Sequence, residues 1–431
     1  MVFSEASSSS YGDDGPLLSP HPISNSSSND NNSSSSSHLS SQSKTFANVF
    51  IAIVGAGVLG LPYAFRRTGW AAGVLMLLLV GALTYHCMLL LVRTRRRLSL
   101  DPSSASKIAS FGDLGLAVSG PLGRAAVDSM IVLSQAGFCV GYLLFVSDTL
   151  AHLLPSSPKS LYIWAMFPFQ LALNSIPSLT HLAPLSIFAD VVDIGAMGVV
   201  MAEDLSLFLS RRGEGSSSSS SPSPRAFAGP SVLLYGLGVA VYAFEGIGMV
   251  LPLELEAADK DRFGRTLGVS MAFISAMYAL FGALGYLAFG DDTRDIITTN
   301  FGGGWVTLLV QIGLCVNLFF TFPIMMHPVY EVAERWCCGK RYCLWLRWAL
   351  VVAVSLVAML VPNFADFLSL VGSSVCCLLG FVLPALFHLR VFSAEMGWAG
   401  AASDVAIIAV GLVFAVSGTW SSLHQIFSSS S

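Results

Sequence analysis

The chain has 431 residues, of which 54% are hydrophobic and only 11% charged, with a net charge of −4. A soluble domain carries about 25% charged residues, and no soluble fold of this size hides so much apolar surface, so lipid must cover it. The charge pattern lacks the basic stripe that nucleic acid requires, which removes nucleic acid as a partner.

The first 44 residues stand apart: eighteen are Ser, and twelve more are Asn, Asp, Gly or Pro. Such a stretch buries too little apolar area to offset its ordering entropy, so 1–44 reads as a disordered cytosolic tail. It has no basic segment followed by an apolar core, and the first span is expected to act as its own insertion signal. Residues 45–425 read as one transmembrane domain. A helix crosses the hydrocarbon with ~20 apolar residues, each rising ~1.5 Å. Runs of that kind predict an all-α integral membrane protein of about eleven spans, at 45–65, 69–92, 127–151, 160–178, 183–204, 229–253, 265–289, 304–327, 343–361, 366–388 and 402–420.

Orientation follows from Lys and Arg. With the N-terminus cytosolic, fifteen of the 22 basic residues fall on the cytosolic face, and Arg93, Arg95, Arg96 and Arg97 contribute most of that bias. Cys87, Cys139, Cys315, Cys376 and Cys377 lie in expected spans, while Cys337, Cys338 and Cys343 share one loop. That loop is placed on the reducing side, so no structural disulfide is expected. A fourth zinc ligand at a usual spacing is missing, so these three read as reduced thiols or a palmitoylation site.

Two spans carry the same interruption. The first contains Gly55, Gly57, Leu61 and Pro62; the sixth contains Gly246, Gly248, Leu251 and Pro252. Both follow Gly-x-Gly, two or three apolar residues, then Leu-Pro. Inside a helix, Gly costs ~1 kcal/mol relative to Ala and Pro ~3 kcal/mol. In hydrocarbon the freed backbone groups cost more still unless protein, water or a ligand satisfies them. Breaks at spans one and six predict a five-plus-five inverted repeat with an eleventh helix appended, the architecture of secondary transporters. Half-helix N-termini suit a carboxylate, and unwound carbonyls suit an ammonium group or cation. The competing reading is a Gly-Pro kink with close helix packing.

At these residues the chain resembles the amino acid/auxin permease superfamily. The run from Thr45 to Phe65 is similar to its opening signature, and the run from Tyr242 to Glu254 to the matching element of proton-coupled members. His86, Cys87 and Met88 agree with the same branch. The likeness covers about 44–425 and points in particular to plant aromatic and neutral amino acid transporters and the plant vacuolar group. It implies a LeuT-type fold, an amino acid substrate and the proton as coupling ion, with no cofactor. One position departs: where animal members carry a coupling histidine, this chain has Asn48, which cannot titrate.

The substrate-binding candidates are Gly55, Ala56, Gly57 and Val58 in the first span, Phe244, Gly246 and Ile247 in the sixth, and Asn317 and Thr321 in the eighth. Phe244 is weighed as a gate or stacking surface. Asn317 and Thr321 share a helix face and read more readily as bonds across helices. The proton-coupling candidates are Glu245, Asp190 and Asp193. Burial disfavours a charged carboxylate, which suits a proton carrier at Glu245; the bland alternative is a cap for the unwound backbone. Asp190 and Asp193 lie one turn apart, where they share a proton or simply hydrogen-bond to neighbouring helices. His86 reads as a packed hydrogen-bonding group and Asp128 as an interface marker.

The sequence has no Ser/His catalytic pair, no His-x-x-x-His metal pair and no Gly-Lys phosphate loop, so an enzyme is not expected. The leading reading is a secondary transporter moving neutral, including aromatic, amino acids with protons into the cytosol. The alternative is an amino-acid-sensing receptor on the same fold. In the tail, Asp13, Leu17 and Leu18 match an acidic dileucine that cytosolic sorting adaptors read. This favours the vacuolar membrane, with the plasma membrane as the alternative address.

Overall fold

A computed structural model describes residues 40–100, 108–177, 183–213, 224–229, 232–302 and 304–429; the acidic dileucine and nearly all of the Ser-rich tail lie outside them. The described residues are helical, apart from one isolated backbone bridge between Ser40 and Ala257. In chain order the helices are α1 Gln42–Ile53, α2 Leu61–Thr68, α3 Trp70–Ser99, α4 Phe111–Leu153, α5 Lys159–Asn174, α6 Ala183–Gly213 and α7 Leu233–Ala243. They continue as α8 Val250–Glu256, α9 Lys260–Phe289, α10 Trp305–Cys337, α11 Leu344–Leu360, α12 Phe364–Val371, α13 Leu383–Phe392 and α14 Trp398–Ser429. Among the described residues seven helical stretches are long and apolar enough to cross a membrane, with α7–α8 (Leu233–Glu256) and α12–α13 (Phe364–Phe392) each taken as one, or eight when the bent pair α1–α2 counts as one.

Local sequence explains where these helices start and stop. Ser41 caps α1 by accepting from the Lys44 N–H, and Ser40 is pinned by backbone bonds to Glu256 and Ala258. Ser110 and Asp113 cap α4 reciprocally, satisfying two N–H groups that no helix turn reaches. Inside α4, Gly120 has φ 66° just before Pro121, a left-handed step that only glycine makes cheaply, and the helix kinks there.

α3 packs along α9 and α4 along α10, with α6 laid against both α9 and α10. α12 and α13 are joined by wide π turns at Gly372–Cys376 and Leu378–Val382. There α7 approaches so closely that a Cβ on Gly372 would lie 1.9 Å from the Gly238 carbonyl oxygen. The aliphatic and aromatic core runs without interruption through these helices. Three buried carboxylates lock it: Glu254 pairs with Arg95 and with the half-exposed Arg96 (2.5 and 2.6 Å), Glu334 with Arg347 (2.7 Å), and Asp404 with His388 (2.6 Å).

Candidate functional site

Both Gly-x-Gly segments interrupt their helices. α1 ends at Ile53, Gly55 is extended (φ −152°, ψ −165°), and tight 3₁₀ turns over Ala56–Gly60 lead into α2, bent by 53° from α1. α7 ends at Ala243, and a short 3₁₀ turn over Ile247–Met249 leads into α8. Pro62 and Pro252 fall in the first turns of α2 and α8, where a missing N–H costs nothing. The Leu-Pro of each motif therefore restarts a helix instead of kinking one. The two interruptions press together: a Cβ on Gly57 would lie 2.9 Å from the Tyr242 ring, and one on Gly246 would lie 2.8 Å from Ile53. The fully buried Tyr278 of α9 reaches the junction, its hydroxyl 3.4 Å from the Ile53 carbonyl and 3.2 Å from that of Ala243. One hydroxyl thus serves the last carbonyls of both broken helices, which have no partner within the helix.

A cavity of about 310 Å³ opens from this junction. Gly55, Ala56, Gly57, Gly246 and Gly248 line its floor, and Phe138, Tyr142 and Tyr242 form an aromatic wall. It extends toward Ser110, Arg124 and Arg335, the end of the bundle where basic residues concentrate. At that mouth Asp128 pairs with Arg335 (3.5 Å) and Arg124 (3.6 Å), and Arg124 also pairs with Asp113 (3.5 Å). The opposite side of the junction is filled by Tyr63, Tyr235, Arg67 and Asp366, with Arg67 stacked 4.7 Å from the Tyr235 ring and 3.9 Å from the Asp366 carboxylate. A wider groove of about 990 Å³ lies on the outside, between α14 and the π turns; it is almost wholly apolar and far from the interruptions.

Glu245 lines the cavity at the break. Its carboxylate accepts a hydrogen bond from the Ile247 N–H and faces Gly380 in the π segment. It forms no ion pair with the described residues. A buried acid without a basic partner is expensive, so it is kept for a reason other than packing. Gly55, Ala56, Gly57 and Gly246 share the cavity with it, and Gly248, the second glycine of the sixth-span motif, does too.

Other candidates lie elsewhere. Val58 and Ile247 are buried in the core, because the 3₁₀ turns aim their side chains away from the opening. Phe244 is also turned inward, packing on Tyr278 at 5.2 Å between ring centroids, and does not line the cavity. Asn317 and Thr321 of α10 sit behind the cavity wall. Asn317 donates to Asp193 at 2.5 Å, and Thr321 donates to Asn317 at 3.0 Å. Asp193 lies within electrostatic reach of the Tyr142 and Tyr278 hydroxyls, which places it next to the junction without lining the cavity. Asp190 is placed only as a backbone position on α6.

Sequence reading missed Tyr142, Tyr242, Tyr278, Arg335 and His327, and it left Asp128 as an interface marker. An Asp at the start of an expected span was the one available signal; the tyrosines are indistinguishable from core aromatics until the helices are packed.

The comparisons decide the family. Residues 38–424 match the model described as "Transmembrane amino acid transporter protein". The chain belongs to that family. It is 59% identical to "Amino acid transporter AVT3C" of Arabidopsis thaliana, over 98% of each chain. It is 27% identical to "Vacuolar amino acid transporter 3" of Saccharomyces cerevisiae, over 82% of this chain and 52% of that one. Among solved structures, a crystal structure of MhsT in complex with L-phenylalanine has a TM-score of 0.50 and 16% identity, covering 88% of this chain and 98% of that one. That likeness shows a fold shared with a LeuT-type protein. The named relatives are transporters, not enzymes.

Proposed function

We propose that this chain is a secondary active transporter that moves neutral amino acids, aromatic ones included, together with protons from the lumen of the vacuole into the cytosol. In this reading eleven helices cross the membrane, α1–α2 and α7–α8 are the broken first and sixth spans of a five-plus-five inverted repeat, and 1–44 is a cytosolic tail ahead of the transport domain. The observation that carries it is the cavity in which both interruptions meet around the unpaired acid Glu245.

The substrate carboxylate would meet the start of the 3₁₀ turns at Ala56 and Gly57, where the first N–H groups have no internal partner. Its ammonium group would meet Glu245 and the carbonyl ends of α1 and α7. Glu245 would carry the proton: neutral when facing the acidic side, and releasing the proton once the cavity opens to the cytosol. Asp193, held by Asn317 beside the same junction, is the second candidate. Asp190, one turn away, would share its proton. The name of the yeast relative and the acidic dileucine of the tail both support the vacuolar membrane. The names of the relatives favour transport over sensing.

The test is uptake of labelled amino acids into proteoliposomes under an imposed pH difference. Accumulation should follow the proton gradient and ignore sodium. Sodium-dependent uptake that does not respond to pH would overturn the coupling, and saturable binding without net uptake would restore the sensor reading.

A further inference from the structure

We propose that Cys338 and Cys343, at the end of α10 that carries Arg335, form a reversible thiol–disulfide switch addressed by low-molecular-weight disulfides such as oxidised glutathione. α10 ends at Cys337, and the chain turns back through Gly339 (φ 59°) and Lys340 (φ 66°). Lys340 is the one non-glycine residue with a positive φ among the described residues, a conformation that crowds an ordinary side chain against its own backbone. Something must hold it, and Glu334 does. Its carbonyl accepts from the N–H groups of Cys338 (2.9 Å) and Lys340 (3.1 Å), while its carboxylate accepts from the Cys343 N–H (3.2 Å). Arg347 fixes that carboxylate at 2.7 Å. Both cysteines are therefore clamped by one residue.

The two side chains meet in a hydrogen bond from the Cys338 thiol to the Cys343 sulfur, which pushes the Cys338 thiol above its ordinary range. In that contact Cys343 is the acceptor, and it carries the attack. Both are partly exposed and unbridged. Lys340 and Arg341 between them are exposed cations, which favour a thiolate and attract an anionic disulfide.

The Cys343 thiolate attacks one sulfur of oxidised glutathione, breaking its S–S bond; the expelled glutathione thiolate takes up a proton. Cys338 then gives its proton to water, and its sulfur attacks Cys343 in the mixed disulfide. The Cys338–Cys343 bond forms and the second glutathione leaves. Two protein thiols are oxidised and one disulfide is reduced to two thiols. The bridge stiffens the turn that follows Arg335, the residue paired with Asp128 at the cavity mouth, and so changes entry to the cavity.

The experiment uses the full chain in proteoliposomes treated with oxidised glutathione, followed by differential alkylation and peptide mass mapping. Cys338 and Cys343 should be free as isolated and bridged after treatment, with dithiothreitol restoring both. Cys338→Ser should trap a glutathione adduct on Cys343. A pair already oxidised as isolated, a pair still alkylatable while Cys337 takes up glutathione, or a bridge to Cys337 would each overturn the proposal. Uptake should fall with the bridge and recover with the reductant, while Cys343→Ser stays insensitive; unchanged uptake in a bridged protein would overturn the switch. The mapping does not depend on the transport reading, so the two fail separately.

Discussion

Glu245 concentrates the question at the scale of single residues. It caps Ile247, and it also looks into the cavity without a basic partner. These two roles separate in Glu245→Gln, which keeps the acceptor for Ile247 and removes the proton site. Gradient-driven accumulation should disappear, while exchange of labelled for unlabelled substrate persists and the size-exclusion profile stays unchanged. If the variant concentrates substrate normally, Glu245 is a cap, and Asp193→Asn becomes the decisive substitution. Glu245 was legible in the sequence because a lone acid beside a broken helix has few reasons to exist. Tyr278 was not, since only packing brings α9 to the ends of α1 and α7.

Among the elements, the paired interruptions do different work on their two sides. A side chain on Gly57 would collide with Tyr242 and with the Ala243 Cα, at 2.9 and 3.0 Å. A side chain on Gly248 meets no atom within 4 Å and projects toward the cavity. Gly57→Ala should therefore lower thermal stability and transport together by forcing the broken helices apart. Gly248→Val should leave the melting temperature unchanged and raise the apparent substrate constant sharply. Thermal unfolding in detergent, set beside uptake kinetics, reads both. Wild-type kinetics in Gly248→Val would remove the start of α8 from the substrate path. The repeated motif predicted two equivalent breaks, yet it carried no information about which glycine makes room for a neighbour and which for a ligand.

For the whole molecule, the cavity opens at the end bearing Arg124 and Arg335, while Tyr63, Arg67, Tyr235 and Asp366 fill the other side of the junction. Transport requires these two arrangements to exchange, and the small, glycine-lined contact between the broken helices is the joint about which they can move. Orientation within the cell belongs to the same scale. A fluorescent fusion should mark the vacuolar membrane, and the Leu17→Ala/Leu18→Ala variant should shift to the cell surface. A wild-type protein already resident at the plasma membrane would overturn the address and leave the mechanism untouched.

The sequence alone determined that this chain lives in lipid, that it is built of helices and that a Gly-x-Gly and Leu-Pro motif recurs in two of them. Those properties follow from composition and from the backbone cost of Gly and Pro, which are local. It also pointed to Glu245 and to the glycines around it. Only the tertiary structure decided which side chains share the cavity. Ile247 and Val58 leave it, because a 3₁₀ turn rotates successive residues away from the direction that an α-helix would give them, and Phe244, at the end of α7, packs on Tyr278 instead. Asn317 turns to Asp193 and Thr321 to Asn317, because a buried polar side chain takes the nearest partner that satisfies it. Asp128, Arg335 and the tyrosines enter the site from helices far apart in the chain, and no local pattern records that meeting.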